Sequence, residues 1–200
     1  MKLTYISRGK VMTQDVRKIK TERDLQVAFV QLLATTGFRH ITVADICQAS
    51  LTSRSTFYAH YLDKYDLLDQ MVAHYSAVFA NRVDLRFNQI ITGDIDTLVA
   101  GLSVDMAENR VAVQTLFTVH EPEADLQANF RAMLLKKWQG FIAEQAPQTD
   151  TPTDLIAAMG TSVQMTLIEW IIQHGEPALG GVTDAVDTIR KAVLLQIKTD

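Results

Sequence analysis

Residues 42–64, TVADICQASLTSRSTFYAHYLDK, constrain the fold more than any other stretch of the chain. Thr42 opens a segment in which Val43, Ile46 and Cys47 share one helical face, with Asp45 at the third position, where a carboxylate favours the positive end of a helix. This predicts a helix of about two turns. Ser50 to Thr52 interrupts it, and small hydroxylated residues suited to an N-cap open a second short helix from Ser53 to Ala59. Two short helices meeting at a tight turn form a helix-turn-helix, in which the second helix lies in a DNA major groove and the first braces it. Phe57 falls on the opposite face and is expected to anchor the second helix against Phe29, Leu33 and Ile46.

The residue types on the presumed DNA face fit that task. Ser53, Arg54, Ser55 and Thr56 cluster hydrogen-bonding groups around a single long side chain, which permits close approach to base edges and phosphates. Arg54 is the residue there able to read guanine bidentately. Tyr58, His60 and Lys64 follow, where phenol, imidazole and ammonium can hold the phosphate backbone and fix register.

The rest of the chain also reads as helix. With 9 Gly and 4 Pro in 200 residues there is little punctuation for an all-β fold, and 48% hydrophobic against 21% charged residues suffices for a buried core. Apolar periodicity places helices at Thr21 to Thr36, from Asp63 to about Arg86, near Asp94 to Ala107, Arg110 to Val119 and Ala124 to Gln145. Thr151-Pro152-Thr153-Asp154 combines a capping hydroxyl, Pro at the first helical position and an acid at the third, opening a helix to His174 that stops at Gly175. Thr183 is expected to cap a last helix. His120 and His174, each close to an acid and a proline, are read as markers of helix ends.

Charge is distributed unevenly. Residues 1–64 hold ten Lys and Arg against five Asp and Glu, and residues 65–200 hold nine against eighteen. A basic first third on an acidic remainder suits a chain whose one end meets a polyanion. Lys2, Arg8, Lys10, Arg17, Lys18 and Lys20 precede the first periodic segment and read as a flexible arm able to track phosphates. Met1 and Met12 are both candidate starts. The expected organisation is therefore a basic arm over 1–19, a helix-turn-helix domain over 20–64 and a helical C-terminal domain over 65–200.

This segment, with the helix before it and the SxxxFYxHYxDKYDLL run that closes it, resembles the tetracycline-repressor (TetR) family of bacterial transcriptional regulators over roughly residues 20–70. The Ser53 to Tyr61 run, Asp63 to Leu68 and the tail Trp170 to Gly175 look most like the branch common in low-GC Gram-positive bacteria. The resemblance implies an all-α homodimer of about nine helices, with a three-helix DNA-binding domain, a C-terminal bundle and dimerisation through the last two long helices. It also implies DNA contacts at Thr42, Ser53 to Thr56, Tyr58, His60 and Lys64. The sequence departs from the family at the turn, where Ala-Gly-aliphatic is usual and Ser50-Leu51-Thr52 stands instead. A leucine at positive φ would be strained, so Leu51 is expected to supply the apolar contact normally made by the next residue.

Other chemistry is sparse. Cys47 shares the stripe of Val43 and Ile46 and reads as a small buried hydrophobe. The five histidines show no HExxH or i,i+4 pairing, and nucleophile-elbow and phosphate-loop motifs are missing, so neither enzyme activity, nor a metal, nor a cofactor is expected. No apolar run approaches the length of a membrane span, and the N-terminus lacks a signal-peptide stretch, which predicts a cytoplasmic protein without membrane partners. Met106, Phe117, Phe130, Met133, Trp138 and Met165 are candidate lining residues of an effector cavity, against the plainer reading that they are core. Met159, Ile168, Trp170, Ile171, Val186, Ile189, Val193 and Ile197 offer a symmetric interface. The resulting expectation is a homodimeric, ligand-responsive repressor of a palindromic operator. Control by a protein partner is the alternative, and a helical enzyme or ligand carrier a remote one.

Overall fold

A computed structural model describes residues 8–107, 109–145, 152–175, 181–195 and 197, and of residues 8–15 and Met106 the backbone only. The described residues form nine α-helices and one 3-10 turn, with a lone bridge between Glu121 and Ala124 as the β pairing. The helices are α1 (Arg8–Thr36), α2 (Val43–Ala49), α3 (Arg54–Tyr58), α4 (Lys64–Thr92), α5 (Ile95–Ala107), α6 (Arg110–Leu116), α7 (Leu126–Gln145), α8 (Thr153–His174) and α9 (Val182–Leu195), and the 3-10 turn is Phe38–His40. They divide into two compact units, Met1–Met71 and Val72–Asp200.

The first unit is built around Leu25, Phe29, Ile46, Phe57, Tyr61, Leu67 and Leu68, all fully or almost fully buried. Phe38 joins two sides of this core, meeting Phe29 edge-on at 6.3 Å and Tyr65 at 5.1 Å. Tyr61 accepts a hydrogen bond from Gln26 Nε2 at 3.2 Å, and burial pushes its phenol up to about 12. Two expectations change here. Residues 8–19, read as a flexible arm, are the first turns of α1, while residues 1–7 lie outside the described residues. No Gly or Pro stands between Lys10 and Thr36 to stop the helix, and its early apolar residues Val16 and Ile19 are exposed, so no buried face announced it. The unit also extends past Lys64 to Met71, because Leu67, Leu68 and Met71 are buried.

In the second unit α7 and α8 form the central pair. Trp138 of α7 is buried and donates through Nε1 to Gln164 Oε1 of α8 at 2.7 Å. Gly160 makes this approach possible, since a Cβ there would collide with the indole ring. Gln127 Nε2 donates to Glu169 Oε1 at 2.8 Å, and Asn129 of α7 donates to Ser76 of α4 at 3.0 Å. Asp125 caps α7, accepting from Ala128 N at 2.8 Å, and its other oxygen holds His120 Nδ1 at 2.8 Å. His174 stacks on Trp170 at 4.5 Å in the last turn of α8.

Helix α8 begins one residue later than expected, with Pro152 at the N-cap rather than in the first turn, and Thr151 lies outside the described residues. Thr183 is inside α9 and not its cap. Helix α8 is also the one described helix long and apolar enough to cross a membrane, yet 56% of its apolar window is packed inside the unit, as in a core helix. Its inward stripe takes Ile168 and Ile171, and Val193 and Ile197 are likewise buried. These four, expected at a dimer interface, are thus used by the chain's own core. Met159 and Ile189 are exposed, together with Leu155 and Leu195, while Trp170 and Val186 are half-buried.

Candidate nucleic-acid interface

The two helices of the motif are cut and capped by the residues that define them. Thr42 Oγ1 accepts from Asp45 N at 3.3 Å, and Asp45 Oδ2 accepts in return from Thr42 N at 2.9 Å and Thr42 Oγ1 at 2.6 Å. These bonds hold the Asp45 carboxyl below its ordinary value. At the other end of α2 the backbone folds into a Schellman turn: Thr52 N donates to Cys47 O at 3.0 Å and Leu51 N to Gln48 O at 3.3 Å. Leu51 sits at the left-handed position with φ 54° and is 93% exposed. The expectation that its side chain packs inward therefore fails, because the left-handed backbone aims Leu51 at solvent and leaves half-buried Thr52 to continue the chain. Ser50 Oγ and Thr52 Oγ1, 2.8 Å apart, brace the turn.

Ser53 caps α3. Its Oγ accepts from Thr56 N at 3.1 Å and lies 2.8 Å from both Ser55 Oγ and Thr56 Oγ1. Phe57 is fully buried, as are Phe29 and Ile46, and Leu33 is nearly so, so one face of α3 is fixed in the core of the unit. Ser53, Arg54, Ser55 and Tyr58 are exposed, and Thr56 and His60 are half-buried. Arg54 has no hydrogen bond or ion pair to another described residue, which leaves its guanidinium free at the start of the helix. Thr42, by contrast, has its hydroxyl engaged in the α2 cap.

Lys64 differs most from its expected role. Its ammonium donates to the carbonyls of Phe38 at 2.9 Å, Arg39 at 3.3 Å and Ile41 at 2.9 Å, and stands 4.7 Å from the centre of the Phe38 ring. An ammonium has three N–H donors, and all three are occupied here. Asp63 meanwhile caps α4, accepting from Tyr65 N and Asp66 N at 2.8 and 2.9 Å. Lys64 thus ties the start of α4 to the link between α1 and α2.

Within the second unit an open cleft is lined by α4, α5, the α5–α6 link, α6 and α7. Of the residues expected to line an effector cavity, Phe130 lies in this cleft, stacked on Phe79 at 3.8 Å and met edge-on by Phe117 at 5.4 Å. Trp138 lines a different, smaller depression beside Gly160, Met165 is buried and Met133 half-buried. The Met106 side chain lies outside the described residues. Sequence reasoning missed the polar residues of the cleft. Arg86 donates through Nε and Nη2 to Asp105 Oδ2 at 3.1 and 2.6 Å and through Nη1 to Gln89 Oε1 at 3.1 Å. Arg82 Nη1 stands 3.7 Å from Asp105 Oδ1. The available signal was the i,i+4 spacing of Arg82 and Arg86, matched by that of Gly101 and Asp105. A Cβ at Gly101 would strike the Arg86 guanidinium.

Comparison with known proteins agrees with this architecture. The family model described as bacterial regulatory proteins, tetR family, matches residues 27–71. Over 66 residues, 32% of this chain, the sequence is 39% identical to the uncharacterized HTH-type transcriptional regulator YxbF of Bacillus subtilis (strain 168), and it spans 17% of that protein's length. The crystal structure of a TetR transcriptional regulator from Streptococcus agalactiae 2603V superposes with a TM-score of 0.59 at 24% identity, covering 94% of this chain and 99% of that one. At that identity the likeness is one of fold. The capped helix pair lies within the segment that matches the tetR family of bacterial regulatory proteins, and the all-helical fold is shared with a solved TetR transcriptional regulator.

Proposed function

We propose that the protein is a DNA-binding transcriptional regulator that acts in the cytoplasm as a repressor. It grips a palindromic or near-palindromic operator as a homodimer and releases it when a small molecule enters the second unit. The observation that carries DNA binding is the outer face of α3, where an uncommitted Arg54 and three small hydroxylated residues stand over a helix fixed by buried Phe57. Tyr58 and His60 supply phosphate contacts beyond it, and Thr42 and Lys64 act by holding α2 and the α1–α2 link in place. Support for the dimer comes from exposed Leu155, Met159, Ile189 and Leu195, a set of apolar side chains on α8 and α9 with no cover of their own. The open cleft favours a small effector over control by a protein partner, which would suit a closed core. An effector preferring the state whose reading heads are mis-spaced by about 1–3 kcal/mol would change operator affinity roughly 5- to 150-fold.

Binding of the purified protein to its own promoter-proximal DNA and to random DNA, at two salt concentrations, tests the reading. Tight, sequence-selective binding that survives the higher salt is expected. Weak binding lost equally on both DNAs would reduce the interaction to phosphate attraction and overturn the proposal.

A further inference from the structure

We propose that the cleft of the second unit binds a small organic carboxylate carried on an apolar chain or ring. This rests on reading the cleft as an effector site and adds the chemical class of the effector. The walls are apolar, with Val78 and Phe79 of α4, Leu102 of α5, Val113 of α6 and Phe130 of α7. Against them stand, among the described residues, two arginines and one aspartate, together one positive unit. Asp105 is committed: one oxygen takes both bonds from Arg86 and the other faces Arg82. Arg86 is committed too, with Nη1 donating to Gln89 and its plane pressed against the bare backbone of Gly101, and only 10% of the side chain is exposed.

Arg82 is different. Its side chain is 55% exposed, and its distance of 3.7 Å from Asp105 is an ion pair without a hydrogen bond, so its planar donors remain free. A cationic ligand would meet a positive site whose one carboxylate is already used. An uncharged ligand would leave the Arg82 donors idle. A carboxylate matches a single guanidinium bidentately and carries the one negative charge that balances the described residues of the site. The Asn109 amide and the neutral phenol of Tyr75, whose ionisation burial pushes further up, add donors along the same cleft.

The test is calorimetric titration of the full chain with hexanoate, octanoate, decanoate and 4-phenylbutyrate, and with octanamide and octylammonium as controls. At least one carboxylate should bind saturably with Kd below about 1 mM, octanamide about tenfold more weakly than octanoate, and octylammonium more weakly still. Arg82→Gln should bring octanoate down to the level of octanamide and leave octanamide unmoved. Val113→Trp, checked for an intact thermal transition, should abolish both. The proposal is overturned if no carboxylate of the series binds below about 1 mM, if octylammonium binds as well as octanoate, or if Arg82→Gln leaves octanoate unchanged. DNA binding measured in parallel separates the two readings. Selective DNA binding without carboxylate binding overturns the ligand class alone, and carboxylate binding that leaves DNA affinity unmoved supports the site while removing its effector role.

Discussion

Leu51 occupies a backbone position that usually belongs to glycine, and it does so with its side chain in water, φ 54° and 93% exposed. No packing contact offsets the steric cost of the left-handed conformation, about 1–2 kcal/mol for an L-residue. Leu51→Gly removes that cost but gives the unfolded chain more freedom, which takes back roughly 0.5–1 kcal/mol. The expected outcome is a net gain of up to about 1 kcal/mol in urea unfolding, and a loss of stability would show that Leu51 is not strained. Arg54 and Lys64 make a second contrast at this scale. Arg54→Ala removes an exposed, unpaired side chain, so stability should hold within about 0.5 kcal/mol while discrimination between operator and random DNA falls. Lys64→Met withdraws donors from three carbonyls and should cost roughly 1–2 kcal/mol of stability, with the salt slope of DNA binding close to wild type. A salt slope lower by about one unit with unchanged stability would return Lys64 to the phosphate backbone.

The elements owe their boundaries to caps more than to apolar periodicity. Thr42 and Asp45 define the start of α2, and Thr42→Ala should cost about 1 kcal/mol. The Asp45 carboxyl is held below its ordinary value in the folded chain, so its contribution is complete above the unfolded carboxylate range near pH 4 and disappears as pH falls through the lower folded value. Asp45→Asn should flatten the acid side of the stability curve between about pH 5 and pH 2, while the neutral side keeps its shape. The same local signals explain what was legible beforehand. The α2–turn–α3 unit could be read because its caps and its buried Phe57 lie within twenty residues of one another. The start of α1 could not, because ahead of its buried Leu25 and Phe29 the helix carries exposed Val16 and Ile19. Nor could the cleft, since Arg86 and Asp105 stand 19 positions apart and meet only because Gly101 of α5 leaves space for the guanidinium of α4. Burial along α8 was not legible either: apolar residues recur all round the helix, and only packing separates Ile168 and Ile171, which are buried, from Met159 and Leu155, which are not.

At the scale of the whole molecule, the proposed dimer through α8 and α9 would set how the reading head is used. A single head offers one free arginine, and one bidentate base contact supplies about 1–3 kcal/mol of discrimination, too little to select a site among many competing sequences. Two heads related by a two-fold axis double that discrimination and demand a palindrome whose half-site spacing follows the dimer. Ile189 is an informative position to test, because it is an exposed apolar residue of α9. Ile189→Glu sets a carboxylate on each side of the axis, where like charges and desolvation oppose association. The expected result is a folded monomer by sedimentation equilibrium, with an unchanged helical signal and selective operator binding lost, while weak salt-sensitive binding to any DNA persists. A variant that stays dimeric would move the interface away from α9. A monomer that keeps its operator selectivity would mean that one α3 reads enough sequence alone, and that the two-fold operator is not how this chain finds its site.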